Sequence, residues 1–188
     1  MEINPLELLG VVLNLTFVIL MINQKILAWP FGILGSLISI YLVWEQSLYS
    51  ESILYSYYVF MGIYGWIHWT KKNDIEIPIL TWKLKDHLIL ISVSITLALI
   101  QGYLFSHFTE AKNPFVDAFT TIFSFSATYM QARKVLSSWV YWLLINAVSV
   151  GLYFVRGLPF YAIQMIVFSV LSVVGFLKWK KEVAIQKN

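Results

Sequence analysis

No cysteine occurs in the 188 residues. Disulfide staples, thiolate metal sites and cysteine nucleophiles are therefore excluded together. Charge is almost as scarce: only 12% of residues are Asp, Glu, Lys or Arg, against about 25% in an ordinary soluble domain. That is too little to clothe a water-facing surface. Five prolines and nine glycines are too few for a collagen-like or low-complexity chain. What abounds is apolar. The chain is 59% hydrophobic and 17% aromatic, with a mean hydropathy of +0.73. The solvent that suits this composition is a bilayer. The net charge of +3 matters less than where the basic residues fall.

A membrane-spanning helix needs about 20 mostly apolar residues. Seven windows qualify, at 5–22, 26–44, 52–70, 87–105, 115–132, 135–155 and 157–179. The few charges that enter them, such as Glu7 and Asp117, lie near their ends. Backbone groups in lipid must be paired within the segment, so helices are expected. The runs do not alternate as strands of a membrane barrel would. The first span has neither a basic flank nor a small-residue cleavage site, so it reads as a retained helix rather than a signal peptide. Pro30 and Pro159 suit first turns, where a missing N–H costs little.

Alternating the loops between two faces separates the basic residues. One face holds Lys112 and Arg156. The other holds Lys25, Lys71, Lys72, Lys83, Lys85, Arg133, Lys134, Lys178, Lys180, Lys181 and Lys187. Cytoplasmic loops carry the excess of Lys and Arg, which places the N-terminus outside and the C-terminus in the cytoplasm. Topology accounts for these lysines without a nucleic-acid surface.

Residues 110 apart match repeatedly: Trp29 with Trp139, Ser39 with Ser149, Leu48 with Leu158, Gly65 with Gly175, Trp69 with Trp179, and Lys71 with Lys181. Each repeat spans three helices, and an odd linker helix between them leaves both facing the same way. The division expected is 1–72 for the first triplet, 73–114 for the linker helix and its loops, 115–181 for the second triplet and 182–188 for a cytoplasmic tail. Parallel repeats of this kind occur in transporters, with the substrate path between them at mid-membrane.

Polar and aromatic residues at helical spacing mark the candidate site. Trp139, Trp142 and Asn146 share one face of the sixth span. Thr121, Ser124, Thr128 and Gln131 form a polar stripe on the fifth. Tyr161, Gln164 and Phe168 share a face of the seventh. Tyr55, Tyr58, Gly62, Trp66 and Trp69 form a stripe on the third. Polar groups in lipid are costly unless they pair or meet water. The functional reading is a ring-lined, charge-free cavity for a flat, cationic or heteroaromatic solute, held by stacking and cation–π attraction and by amide hydrogen bonds. The plainer readings compete. Trp66, Trp69 and Trp179, at helix ends, read as an interfacial aromatic belt. Gly32, Gly35, Gly62 and Gly65 read as close-packing sites, and the hydroxyls of span five as back-bonds to their own helix. His68, His87 and His107 lack metal-ligand spacing, and no metal or cofactor is expected. No charge sits at mid-span, no phosphate loop is present and no hydrolytic set is evident. Uncoupled facilitated diffusion is the simplest mechanism.

The run Tyr64-Gly65-Trp66-Ile67-His68-Trp69 resembles the signature of the PnuC family of vitamin transporters. So do Asp117 through Arg133-Lys134, Trp139-x-x-Trp142-x-x-x-Asn146, Gly157 and Gly175-x-x-x-Trp179, and, at span two, Gln24-Lys25-Ile26 with Phe31-Gly32. The resemblance covers residues 20 to 181. It implies an all-α 3+1+3 membrane fold like that of SWEET transporters, in a bacterial inner membrane. It implies uptake of nicotinamide riboside, trapped by a cytoplasmic kinase, and it allows a homotrimer. Its binding positions would fall on Trp139, Trp142, Asn146 and the facing residues of span seven. This chain departs from the pattern in having Tyr55 where the family often has Gln, Gly62 and Gly35 where it has Asn, and Ser137-Ser138 where it has Glu-Asn. Lost amides change which substrate groups are satisfied, so a thiamine-type substrate stays open beside nicotinamide riboside. A non-transporting membrane scaffold is the third reading.

Overall fold

A computed structural model describes residues 5–45, 49–70, 77–109, 112–157 and 159–186. Leu48, Lys71, Lys72, Asn73, Leu158 and Lys187 lie outside them, as does the expected boundary at 72–73. Seven helices appear among the described residues: α1 (Pro5–Ile22), α2 (Ala28–Glu45), α3 (Tyr49–Trp69), α4 (Leu84–Phe108), α5 (Pro114–Ala132), α6 (Ser138–Val155) and α7 (Pro159–Gln186). They fall on the seven apolar windows. Three open on proline, whose fixed φ and missing N–H suit the first helical position, and Pro30 sits one turn into α2. At the start of α4, Asp86 accepts a 3.1 Å hydrogen bond from the Lys83 amide, holding one of the end donors that a helix leaves open. Among the described residues, four helices are long and apolar enough to cross a bilayer: α1, α4, α6 and α7. The run Ala28–Leu42 of α2 is apolar as well, while α3 and α5 are diluted by hydroxyl-bearing residues.

The chain divides into two compact units. The first comprises residues up to Pro78 together with Ala132–Lys134, and the second holds Ile79–Gln131 and the chain from Val135 onward. Large apolar side chains face outward all along the helices. Leu84, Leu88, Ile89, Val93, Leu97 and Ile100 of α4 are all exposed. Small ones face in. The buried residues of α4 are Ser94, Ala98 and Gly102, one stripe at four-residue spacing. Lipid is as apolar as leucine, so helices in a membrane associate through close backbone approach and polar contacts rather than through hydrophobic burial. The α4 stripe shows both: Ser94 and Ser126 share a 2.8 Å hydroxyl hydrogen bond, and Gly102 lies under the Phe115 ring.

The same joint is built once in each unit. In the first, Trp29 is 2% exposed, its ring lies against Gly65 of α3 closely enough to exclude any side chain, and it meets Trp69 edge-on at 5.3 Å and 89°. In the second, Trp139 is 2% exposed, its ring lies within 2.7 Å of where a β-carbon of Gly175 would stand, and it meets Trp179 at 5.4 Å and 90°. The glycine readings hold for Gly32, Gly35, Gly62 and Gly65, each covered by a neighbouring side chain. The belt reading is corrected for two of the tryptophans. Trp69 and Trp179 are 6% and 0% exposed, because each ring edge closes the far side of a buried indole. Trp66, exposed, is free to serve at an interface.

The turns that precede these tryptophans are duplicates as well. The amide of Lys25 bonds the Leu20 carbonyl and that of Val135 the Met130 carbonyl, both at 2.9 Å. Each is the long closing bond of a Schellman cap. The left-handed position of that cap is occupied by Gln24 in one turn and Lys134 in the other, both at φ 53°. Neither is glycine, although a non-glycine residue there costs roughly 1–2 kcal/mol. The two side chains explain the choice. The Lys134 ammonium donates to Gln24 Oε1 at 3.2 Å and to the Ile77 carbonyl at 3.1 Å, and it lies 4.6 Å from the centre of the Trp69 ring. The Trp69 indole N–H donates to the Ala132 carbonyl at 2.8 Å. A cation that is 6% exposed is thus supplied with oxygens and a π-face.

Two outcomes follow from these joints. Gly175→Ala should overpack the Trp139 seat and cost about 1–3 kcal/mol. Thermal unfolding of the detergent-solubilised protein reads this, and an unchanged melting temperature would contradict the packing. Lys134→Ala should destabilise more than Lys134→Gly, by about 1 kcal/mol, because both lose the ammonium but glycine alone adopts positive φ freely. Denaturant titration of the two variants gives the difference.

Candidate functional site

The polar stripe expected on the fifth span runs down α5 in the second unit. Thr128 is 8% exposed and Gln131 3%. The Thr128 hydroxyl donates to the Ser124 carbonyl of its own helix at 2.7 Å. That is the plainer of its two readings: the proton is used locally, leaving the oxygen lone pairs as its remaining polar capacity. Gln131 behaves differently. Its Oε1 accepts a 2.8 Å hydrogen bond from the Trp142 indole N–H, so the carboxamide fixes the plane of the ring and keeps its own two N–H donors.

One turn along α6, Asn146 is 5% exposed. Its Nδ2 lies 3.5 Å from Ser172 Oγ on α7, a long contact, and Ser172 in turn donates to the Phe168 carbonyl at 2.8 Å. Ser172 was not among the sequence candidates. The signal that finds it is the α7 stripe itself: Tyr161, Gln164 and Phe168 continue to Ser172 at the next four-residue step. Trp139 is fully packed between Gly175 and Trp179. Its indole N–H has no partner among the described residues, and neither does that of Trp29, its equivalent in the first unit.

The remaining candidates are spread more widely. Phe168 and Gln164 are half-buried, and Gln164 makes no hydrogen bond among the described residues. Tyr161 is 43% exposed and packs on Tyr153 at 5.5 Å. Tyr55 and Tyr58 belong to the first unit, where they meet edge-on at 5.9 Å. Two side-chain links thus cross helices in the second unit: Gln131 of α5 to Trp142 of α6, and Asn146 of α6 to Ser172 of α7; Thr128 and Phe168 lie one turn from Gln131 and Ser172 on the same helices. Every one of these polar groups is uncharged. At the start of α5 and the end of α6, Arg156 Nη2 donates to both oxygens of Asp117, at 2.8 and 2.7 Å. His87 is held away from this face, between the Tyr141 hydroxyl at 3.1 Å and Ser137 Oγ at 3.3 Å. An uncharged set of two carboxamides, hydroxyls and an oriented indole can bind a planar, hydroxylated solute, and it has no group poised to break a covalent bond.

Residues 4–181 match the family described as nicotinamide mononucleotide transporters. The chain belongs to that family, the PnuC family of vitamin transporters. It is 23% identical to the riboflavin/roseoflavin transporter RibM of Streptomyces davaonensis, over 92% of this chain and 83% of that protein. It is 22% identical to the nicotinamide riboside transporter PnuC of Escherichia coli, over 95% of this chain and 86% of that one. The crystal structure of the vitamin B3 transporter PnuC shares the fold, with a TM-score of 0.76 at 20% identity, over 94% of this chain and 80% of that one. The chain is accordingly a multi-pass membrane transporter and not an enzyme.

The Gln131–Trp142 bond gives a direct test. Gln131→Leu leaves the indole N–H unpaired and should cost about 1 kcal/mol or more. In a Trp142→Phe background the same change should cost much less, since the donor is gone. A double-mutant cycle on unfolding free energies measures the coupling, and additivity would show that the bond contributes nothing.

Proposed function

We propose that this transporter takes up nicotinamide riboside by facilitated diffusion, and that phosphorylation by a cytoplasmic kinase traps the product. The observation that carries the reading is the uncharged face of α5–α7. A pyridinium ring gains from stacking on an indole held in one plane, by about 0.5–2 kcal/mol for each cation–π contact. Gln131 and Asn146 match the carboxamide and ribose hydroxyls of such a solute. Trp142 is the contact surface in this reading, and Trp139, packed between Gly175 and Trp179, anchors the start of the helix that carries it. With no carboxylate or histidine at the centre of these helices, nothing carries a coupling ion, so direction comes from consumption of the solute inside.

The architecture we propose with it is 3+1+3: α1–α3 and α5–α7 as parallel triplets and α4 as the linker. Duplicated caps and duplicated Trp–Gly–Trp joints at a separation of 110 residues support it. The membrane is the bacterial inner membrane, all seven helices cross it, and the N-terminus lies outside on the distribution of Lys and Arg. A second reading has its own support. The riboflavin/roseoflavin transporter is as similar to this chain as the nicotinamide riboside transporter is, so a flavin is the competing substrate. Thiamine, another cationic heteroaromatic, is the third.

Calorimetric titration of the purified protein with nicotinamide riboside, riboflavin and thiamine separates the three. The expected result is saturable binding of nicotinamide riboside, weakened about tenfold or more by Trp142→Ala or Asn146→Ala. In liposomes, counterflow of the bound vitamin should proceed without a sodium or proton gradient. Binding of riboflavin or thiamine alone would reassign the substrate, and strong stimulation by a gradient would overturn the uncoupled mechanism.

A further inference from the structure

The first unit holds a carboxamide that its packing does not require. Asn14 is the tenth residue of α1 (Pro5–Ile22), about 13 Å from either end at the usual helical rise. It lies on the face that α1 turns to α2. Along that face Gly10 meets Ile38, Asn14 meets Gly35 and Phe17 meets Gly32. The contact is close: Asn14 Oδ1 stands 2.6 Å from where a β-carbon of residue 35 would be, so Gly35 is the residue that admits the amide.

Filling this joint takes volume and no polarity. The matching positions 110 residues on are Ser124 and Ile145, each 4% exposed, and Ile145 belongs to the apolar core. Of those two residues the bulky one is on α6 and is hydrocarbon. In the first unit the bulk comes from α1 and is an amide, although leucine has nearly the same size. An amide at mid-bilayer is costly unless it is bonded. Asn14 makes no hydrogen bond among the described residues, unlike its neighbour Thr16, whose hydroxyl is satisfied by the Val12 carbonyl at 2.8 Å. Ser36, next to Gly35 and 6% exposed, makes none either. Asn14 is only half-buried, so its two N–H donors are not sealed in.

We propose that Asn14 is a ligand-contacting residue, donating hydrogen bonds to the hydroxyl or carbonyl oxygens of the transported vitamin, with Gly35 conserving the space that lets the amide sit there. The proposal rests on the vitamin-transport reading above. It adds hydrogen-bond donors to the recognition of substrate, where ring stacking alone would accept any flat ring.

The test uses the full-length protein titrated with nicotinamide riboside, riboflavin and thiamine, with melting temperature measured in parallel. Asn14→Leu keeps the volume and should leave the protein as stable as before while weakening binding about tenfold, the loss expected for one or two neutral hydrogen bonds. Asn14→Ala/Gly35→Asn returns a carboxamide to the same joint from the other helix and should regain most of that loss relative to Asn14→Ala. Binding by Asn14→Leu within twofold of the original protein, or no recovery in the double variant, overturns the proposal and leaves Asn14 a packing residue. Should Asn14→Leu fail to fold, Asn14→Ser, which copies Ser124, carries the same comparison. If the original protein binds none of the three vitamins, the substrate reading itself fails, an outcome distinct from any difference between variants.

Discussion

A tryptophan laid on a glycine holds each half of this protein together. In lipid, burying another leucine gains nothing, because the surroundings are equally apolar. Cohesion must come from van der Waals contact at close range and from polar groups that would otherwise be stranded. An indole on a bare α-carbon gives the largest flat contact that one side chain can make. The edge of a second indole then closes it at near-perpendicular geometry, the arrangement that aromatic quadrupoles favour. The N–H groups of Trp29 and Trp139 have no partner among the described residues, a cost of about 1–3 kcal/mol each that this contact has to exceed.

Positions elsewhere follow from that seat. Trp139 anchors the start of α6, so Trp142 and Asn146, one and two turns on, are carried at fixed heights. Gln131, at the end of α5, reaches Trp142 because the Schellman turn at 132–137 brings the two helices back within hydrogen-bond range. The cap also ties chemistry to fold in the first unit. Lys134 and Gln24 occupy strained backbone positions, and their side chains hold one another, so strain and bond are parts of one device.

The two halves share a frame and differ in what they display. Trp142 corresponds to Gly32, Asn146 to Ser36, Gln131 to Met21 and Ser172 to Gly62. The second unit carries two amides and the oriented ring, whereas the first has Met21 and otherwise small residues at the matching places and puts its one mid-span carboxamide on α1. Duplication supplies a scaffold. Asymmetry of side chains then gives the second unit uncharged polar groups that the first lacks at the same places.

Much of this could be read from the residues alone. Hydropathy placed six helices to within about three residues and the start of the seventh, since an apolar run in lipid has no alternative to pairing its own backbone; α7 continues past the window at 179 to Gln186, where charged residues carry it on. The 110-residue spacing exposed the duplication, and the polar periodicity of α5 and α6 picked out Thr128, Gln131, Trp142 and Asn146. Other features lay beyond it. Trp69 and Trp179 looked like interfacial residues, because a helix end in sequence says nothing about what covers it. Ser172 was passed over, because a serine in a long apolar helix gains meaning only from the Asn146 amide across from it. That Gln131 orients Trp142, and that Asn14 lies in a notch made by Gly35, depend on which faces meet. Period and composition are properties of one helix and are written along the chain. Contacts are properties of pairs, set by small residues that let backbones approach, and only the folded structure assigns them.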